Sequence, residues 1–266
     1  MDSHIFNALN AGGLTLLLLL EVRSRTFRQV LGDPRRMRRN LAFLLSSVLT
    51  GLLLHRSIAW LVPVLPQLSL RAPLWLQIPA VFLLGELFNW ALHYAKHQSA
   101  FLWRIHCPHH KEDHYTMWLT VHTYGPEVLV SGTLMNALLL MAGFDLRALE
   151  IYLLFYSLNN AYQHSALPHS LGFLDALIVS PAYHRHHHGG AQVNFGSTLT
   201  IWDWVFRTAQ FPTSRFEAVN PPLIEQTPEP FGFREEMLYP LIPSRWVESN
   251  PAARAPRLAG ELSELR

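Results

Sequence analysis

Residues 73–97 read "PLWLQIPAVFLLGELFNWALHYAKH", an apolar run over 73–92 that continues into two histidines. The leading proline suits the start of a helix, and Glu86 is the only acid inside the run. At 1.5 Å per residue a stretch of this length crosses about 30 Å of hydrocarbon. If the helix continues, His93 and His97 lie one turn apart on one face, as two ligands of one metal require. Taken alone, the pair reads equally well as interfacial histidines.

Outward from this stretch, further apolar runs occupy residues 5–22, 41–65, 128–144 and 149–163. The first is not a signal peptide: it lacks a basic n-region, and basic residues follow where a small-residue cleavage site belongs. The second is interrupted by His55 and Arg56, which snorkel or mark a helix end. The last two are separated by "DLR" at Asp145–Arg147 and read as a tight helical hairpin, short enough to dip into the bilayer without fully crossing it. Composition agrees: the chain is 50% hydrophobic and only 15% charged, the pattern of a membrane protein. A formal charge of +2 and the lack of an aromatic-basic stripe set nucleic acid aside. The single cysteine, Cys107, excludes an intramolecular disulfide framework and a CxxC zinc ribbon.

Arg23, Arg25, Arg28, Arg35, Arg36, Arg38 and Arg39 crowd the segment after the first run, whereas the opposite loop offers only Arg71. The arginine loop is therefore expected in the cytoplasm. Counting crossings from it returns the end of the third run, His164 and the stretch "HRHHHGG" at 184–190 to that same side. The expected fold class is all-α, a polytopic membrane helical bundle with a cytoplasmic histidine-rich cap.

Thirteen of the fifteen histidines fall between His93 and His188. "HCPHH" supplies His106, His109 and His110 in an H-x-x-H-H box, and His184, His187 and His188 repeat that spacing. With His93 and His97 there are eight box histidines, more than one zinc site uses. Two metal ions are the economical reading, and neutral imidazole suits iron, zinc, copper or nickel. No glutamate has a histidine three residues later, so any di-iron site is not the Glu-x-x-His kind of soluble bundles.

The ordered set H-x3-H, H-x2-H-H and H-x2-H-H resembles the fatty acid hydroxylase superfamily, also called the sterol desaturase family, of integral membrane di-iron oxygenases. "ELFNWALHYAKH", "LWRIHCPHH", "YQHSALPHSLGFLD" and "VSPAYHRHHHGGAQVNFGSTLTIWDWVFRT" are similar to the family's successive motifs, over about residues 80–208. The resemblance implies nine iron ligands: His93, His97, His106, His109, His110, His184, His187, His188 and, before serine, His164. It further implies two iron ions, dioxygen as co-substrate, and hydroxylation of a fatty acyl or sterol-like lipid entering from the bilayer. A desaturase of the same family and a metal-binding transporter or sensor are the alternatives.

His122 also resembles a family histidine, and the extra His186 could shift the register of the third box. His114 and His169 have no motif place, and Asn160 stands where some members carry a histidine. Glu86, Asn89 and Asp175 are candidate acceptors that orient imidazoles. Without a G-x-G-x-x-G fingerprint or a cysteine cluster, electrons are expected from an external cytochrome, ferredoxin or flavoprotein. The chain divides into N-terminal helices and a basic loop (1–79), a catalytic domain (80–210) and a Pro-rich cytoplasmic tail (211–266), whose last ten residues are expected to be mobile. "TIWDWVFRT" at 200–208 reads as an aromatic interfacial helix.

Overall fold

The structure is a computed structural model that describes residues 3–61, 63–64, 72–110, 114–167, 170–189, 192–211, 233–238 and 241. Arg71, His169 and most of the Pro-rich tail therefore lie outside the described residues. Among the described residues ten α-helices follow one another: α1 Ser3–Glu21, α2 Arg25–Gly32, α3 Pro34–Leu61, α4 Leu74–Gln98, α5 Ala100–His110, α6 Gly125–Met141, α7 Leu146–Gln163, α8 Pro181–His188, α9 Ile201–Val205 and α10 Phe233–Leu238. Among the described residues the only β pairing is an isolated bridge between Ile178 and Leu199.

Local chemistry sets the breaks. Ser24 accepts from Phe27 N at 3.1 Å and starts α2; Asp33 accepts from Arg35 N at 2.9 Å and starts α3, with Pro34 as its first residue. Asp145 does the same for α7 through Arg147 N, after Gly143 at φ 86° has turned the chain out of α6. Three helices, over His4–Glu21, Pro34–Leu61 and Leu74–Gln98, are long and apolar enough to cross a membrane. The expected hairpin is α6 and α7, 17 and 18 residues long, about 26 and 27 Å at helical rise.

Helix α3 packs on α6, α1 on α7, and α4 on both α5 and α7. Between them Val81, Met135, Leu139, Leu140, Ala148, Leu149 and Tyr152 form a closed apolar core. The outer faces are equally apolar but open: Leu45 is 71% exposed, Trp75 70% and Val130 68%. Exposed leucine and tryptophan on this scale would be a solubility fault in water and are the normal surface of a bundle in lipid.

Candidate metal centre

Helix α4 runs unbroken from the apolar core to Gln98, so it carries His93 and His97 out of the bundle on one face. Ser99 ends it, and α5 begins at Ala100 with His106, His109 and His110 in its last turns. Ser180 accepts from Tyr183 N and caps α8, with Pro181 first, so that "PAYHRHHH" is helical throughout. His164 follows the last residue of α7.

These nine histidines meet in two groups. His93, His97, His106, His110 and His187 form one, and His109, His164, His184 and His188 the other; within each, the candidate ligand atoms lie within 4.8 Å of one another. The groups abut, with the rings of His110 and His188 stacked at 4.3 Å. Each H-x-x-H-H box is divided between them. In α5 the i, i+4 pair His106 and His110 faces the first group and His109 the second; in α8 the pair His184 and His188 faces the second and His187 the first. The repeated spacing is thus what a single turn of helix needs to serve two sites at once.

The ring tautomers support metal binding. His93 Nδ1 lies 2.9 Å from Phe195 O, His187 Nδ1 2.8 Å from Val193 O and His164 Nδ1 2.8 Å from Asn160 O. A carbonyl only accepts, so each Nδ1 carries the proton and each Nε2 keeps its lone pair. His93 Nε2 and His187 Nε2 are buried with no hydrogen-bond partner, as are both ring nitrogens of His97. His164 Nε2 is 3.1 Å from His109 Nε2 and 3.0 Å from His184 Nε2, and His106 Nε2 is 3.1 Å from His110 Nε2. With metal–nitrogen bonds of about 2.1 Å, two ligands at right angles stand about 3.0 Å apart. The donor set therefore fits metal ions.

Burial keeps these rings neutral. It pushes the His164 and His187 imidazoles down to about 4, partly offset by their carbonyl partners. Burial, and then neighbouring histidines, hold His106, His109, His110, His184 and His188 well below the usual imidazole value. Neutral imidazole is the form that ligates.

Two of the three carbonyls, those of Val193 and Phe195, come from a turn to which the sequence reading gave no role of its own. Asn194 sits at φ 60°, donates to Tyr183 O and Gln210 O, and accepts from Gln210 N. Phe195 N and Gly196 N both donate to Asp203, at 2.8 Å each. A Cβ on Gly196 would lie 2.6 Å from Leu199 O, so no side chain fits there. Asp203 also accepts from Trp90 Nε1, Tyr183 OH and Thr208 Oγ1, which makes the "IWDWV" helix an anchor for the ligand turn as well as an aromatic surface. The signal was an acid inside an otherwise apolar helix. Glu21, likewise buried, receives Met117 N and Ala166 N and ties α1 to the segment after His164.

Other expected residues land elsewhere. Glu86 accepts from Tyr152 OH, Thr198 N and Leu199 N; Asn89 donates to Tyr152 OH; Asp175 accepts from Ser170 Oγ and Leu171 N. In these hydrogen bonds none of the three receives an imidazole; on His93, His164 and His187 a backbone carbonyl meets Nδ1 instead. His122 pairs with Asn40 Oδ1 at 2.8 Å and packs against Phe43 with the rings tilted, outside both groups. His114 and His186 are half-buried and also outside them.

A cavity of about 230 Å³ reaches both groups, touching His93 and His106 of the first and His109, His164 and His184 of the second. Along α6 its lining runs from Glu127 to Asn136, and along α7 from Leu153 to His164, about 14 and 17 Å at helical rise. Met135 stands about two turns along α6 from Glu127 and Leu153 about three turns along α7 from His164, with Leu54 close to Gly132; Lys96, which pairs with Glu127, and Gln163 lie next to ligand histidines in the chain.

The fatty acid hydroxylase family model matches residues 78–208. The chain is 26% identical over 132 residues to alkylglycerol monooxygenase of Homo sapiens, which covers 48% of this chain and 28% of that protein. It is 28% identical over 120 residues to the protein of that name from Danio rerio, covering 44% and 26%, and 26% identical over 146 residues to that from Caenorhabditis elegans, covering 49% and 26%. The chain spans under a third of the length of these curated relatives. No solved structure matches it.

Proposed function

With residues 78–208 belonging to the fatty acid hydroxylase family, we propose that this chain is an integral membrane lipid monooxygenase with one iron ion in each histidine group. The observation that carries this reading is the convergence of nine imidazoles, with buried, unpartnered ring nitrogens among them, beside a cavity that runs between α3, α4, α6 and α7. The names of the relatives favour oxygen insertion over desaturation. Bound iron would supply the activation of dioxygen that an unactivated C–H bond demands.

The chain's own residues would do the rest. The carbonyls of Asn160, Val193 and Phe195 fix three ring tautomers and hold the rings in place. Leu54, Met135 and Leu153 hold an alkyl chain and exclude water. The net reaction is R–H + O2 + two electrons + two protons giving R–OH + water. The electrons come from a separate cytochrome, ferredoxin or flavoprotein. By the arginine count, the histidine cap and that donor meet on the cytoplasmic side.

The test is growth of cells expressing the protein or its His109→Ala variant under heavy dioxygen, with iron measured on the purified protein. The expected result is about two irons per chain and one heavy oxygen in a lipid alcohol made only with the intact protein. Loss of two hydrogens without label would make it a desaturase. No lipid change with folded, iron-loaded protein and a supplied donor would overturn the enzyme reading.

A further inference from the structure

We infer that Glu21 and Arg185 are positioning residues for the second histidine group: together they grip the peptide unit that follows His164 and so set that ligand's place at the metal. The inference rests on the reading of the histidine groups as metal sites. It adds to the centre a residue of α1, which lies outside the matched residues 78–208.

The two side chains meet the same peptide unit from opposite sides. Ala166 N donates to Glu21 Oε1, and Arg185 Nη2 donates to Ser165 O at 2.8 Å. The carbonyl of Ser165 and the amide of Ala166 belong to one planar trans unit, in which they point opposite ways. A carboxylate therefore holds the amide side and a guanidinium the carbonyl side, each charge matched to the pole it meets, and the two charges also attract one another. Arg185 Nη2 reaches Leu167 O at 3.1 Å, and its guanidinium lies 4.8 Å over the Tyr115 ring. Tyr115 OH in turn donates to Gln163 O, the carbonyl just before His164. The backbone is thus held on both sides of the ligand, while Asn160 O holds its ring.

Packing alone does not explain this arrangement. Glu21 is fully buried and Arg185 only 3% exposed. Charges drawn this far out of water stabilise a fold weakly, since the cost of removing them from water offsets most of their attraction. Apolar side chains would join α1 and α8 to this segment, but they would not fix the register of its main chain. Arg185 directly follows His184 in α8, so one residue links the main chain beside two ligands of the same group, whose Nε2 atoms stand 3.0 Å apart. The first group has its counterpart in Asp203, which holds the turn whose carbonyls meet His93 and His187. Each group then has a buried acid of its own, Asp203 for the first and Glu21 for the second.

The experiment is titration of the metal-free protein in nanodiscs with cobalt(II) against a competing chelator, read by bound metal per chain and by the visible absorption of the cobalt. Two backgrounds separate the groups: His187→Ala leaves the second intact and His184→Ala the first. Glu21→Gln should weaken cobalt binding about 10- to 100-fold, with a changed spectrum, where only the second group remains. Affinity and spectrum should stay as they were where only the first remains. Arg185→Gln should give the same pattern. If either chain fails to fold, Arg185→Lys, which keeps the cation but loses the planar fork, carries the test with the same pattern expected. Equal losses in both backgrounds, or a loss in neither, would reduce the pair to a structural tie and overturn the inference. No cobalt bound by the intact protein would instead sink the metal-centre reading, and this inference with it.

Discussion

Asp203 gathers five donors onto one buried carboxylate: Trp90 Nε1, Tyr183 OH, Thr208 Oγ1 and the amides of Phe195 and Gly196. Asp203→Asn keeps the volume but turns one acceptor into a donor that faces donors. Each buried group left unsatisfied costs about 1–3 kcal/mol, so a loss of roughly 3 kcal/mol or more is expected in the unfolding of the purified protein. The effect should reach the metals, because the turn that Asp203 holds supplies the carbonyls for His93 and His187, both in the first group. Metal content should fall toward one ion per chain, the second group being oriented by Asn160 O from α7. Unchanged metal content would show that the turn does not position the rings. This role was hard to read in the sequence, since Trp90 lies 113 residues away from Asp203 and nothing local announces the pairing. The histidines were legible because their meaning is local: spacing on a helix is spacing on a face.

At the scale of the element, α8 shows how far such local reasoning carries. His184, His187 and His188 stand at i, i+3 and i+4 and point into the two groups, whereas the extra His186 falls on the other side of the helix, half-buried. His186→Ala is therefore expected to leave metal content unchanged, and His187→Ala to deplete the first group, with the metal-to-protein ratio of each variant as the measurement. Equal losses would mean that the third box is read one residue out of register. The apolar helices were legible for a similar reason, their length and composition answering to the bilayer. Their ends were less so: α4 continues to Gln98 and α3 begins at Pro34, set by the polar residues Ser99 and Asp33 and not by the hydrophobic pattern. The partners of the buried acids were hidden for the same reason. Glu86 was a candidate acceptor for an imidazole, but it accepts from Thr198 N, Leu199 N and Tyr152 OH, contacts made across the fold.

For the whole molecule, gathering nine imidazoles in a buried centre sets how stability answers to pH. Burial pushes His164 and His187 down to about 4, against about 6.5 in an unfolded chain. Between those values the unfolded state binds more protons than the folded one, so folding stability must fall as pH falls. The contribution is fully present above about 6.5 and is lost progressively as the pH drops through about 4, each ring giving up about 1.4 kcal/mol for every pH unit crossed between the two values. The metal-depleted protein should therefore show a thermal midpoint that is level near pH 7–8 and declines steadily below about 6.5. Metal bound to the folded state alone adds stability by mass action and competes for the same lone pairs, so the loaded protein should hold its midpoint to lower pH. Because the rings resist protonation until about 4, metal retention against a fixed chelator should stay near its neutral value down to about pH 5 and collapse only below it. Release with a midpoint near 6.5 would mean that the rings titrate as solvent-exposed histidines, and would place the metals outside this centre.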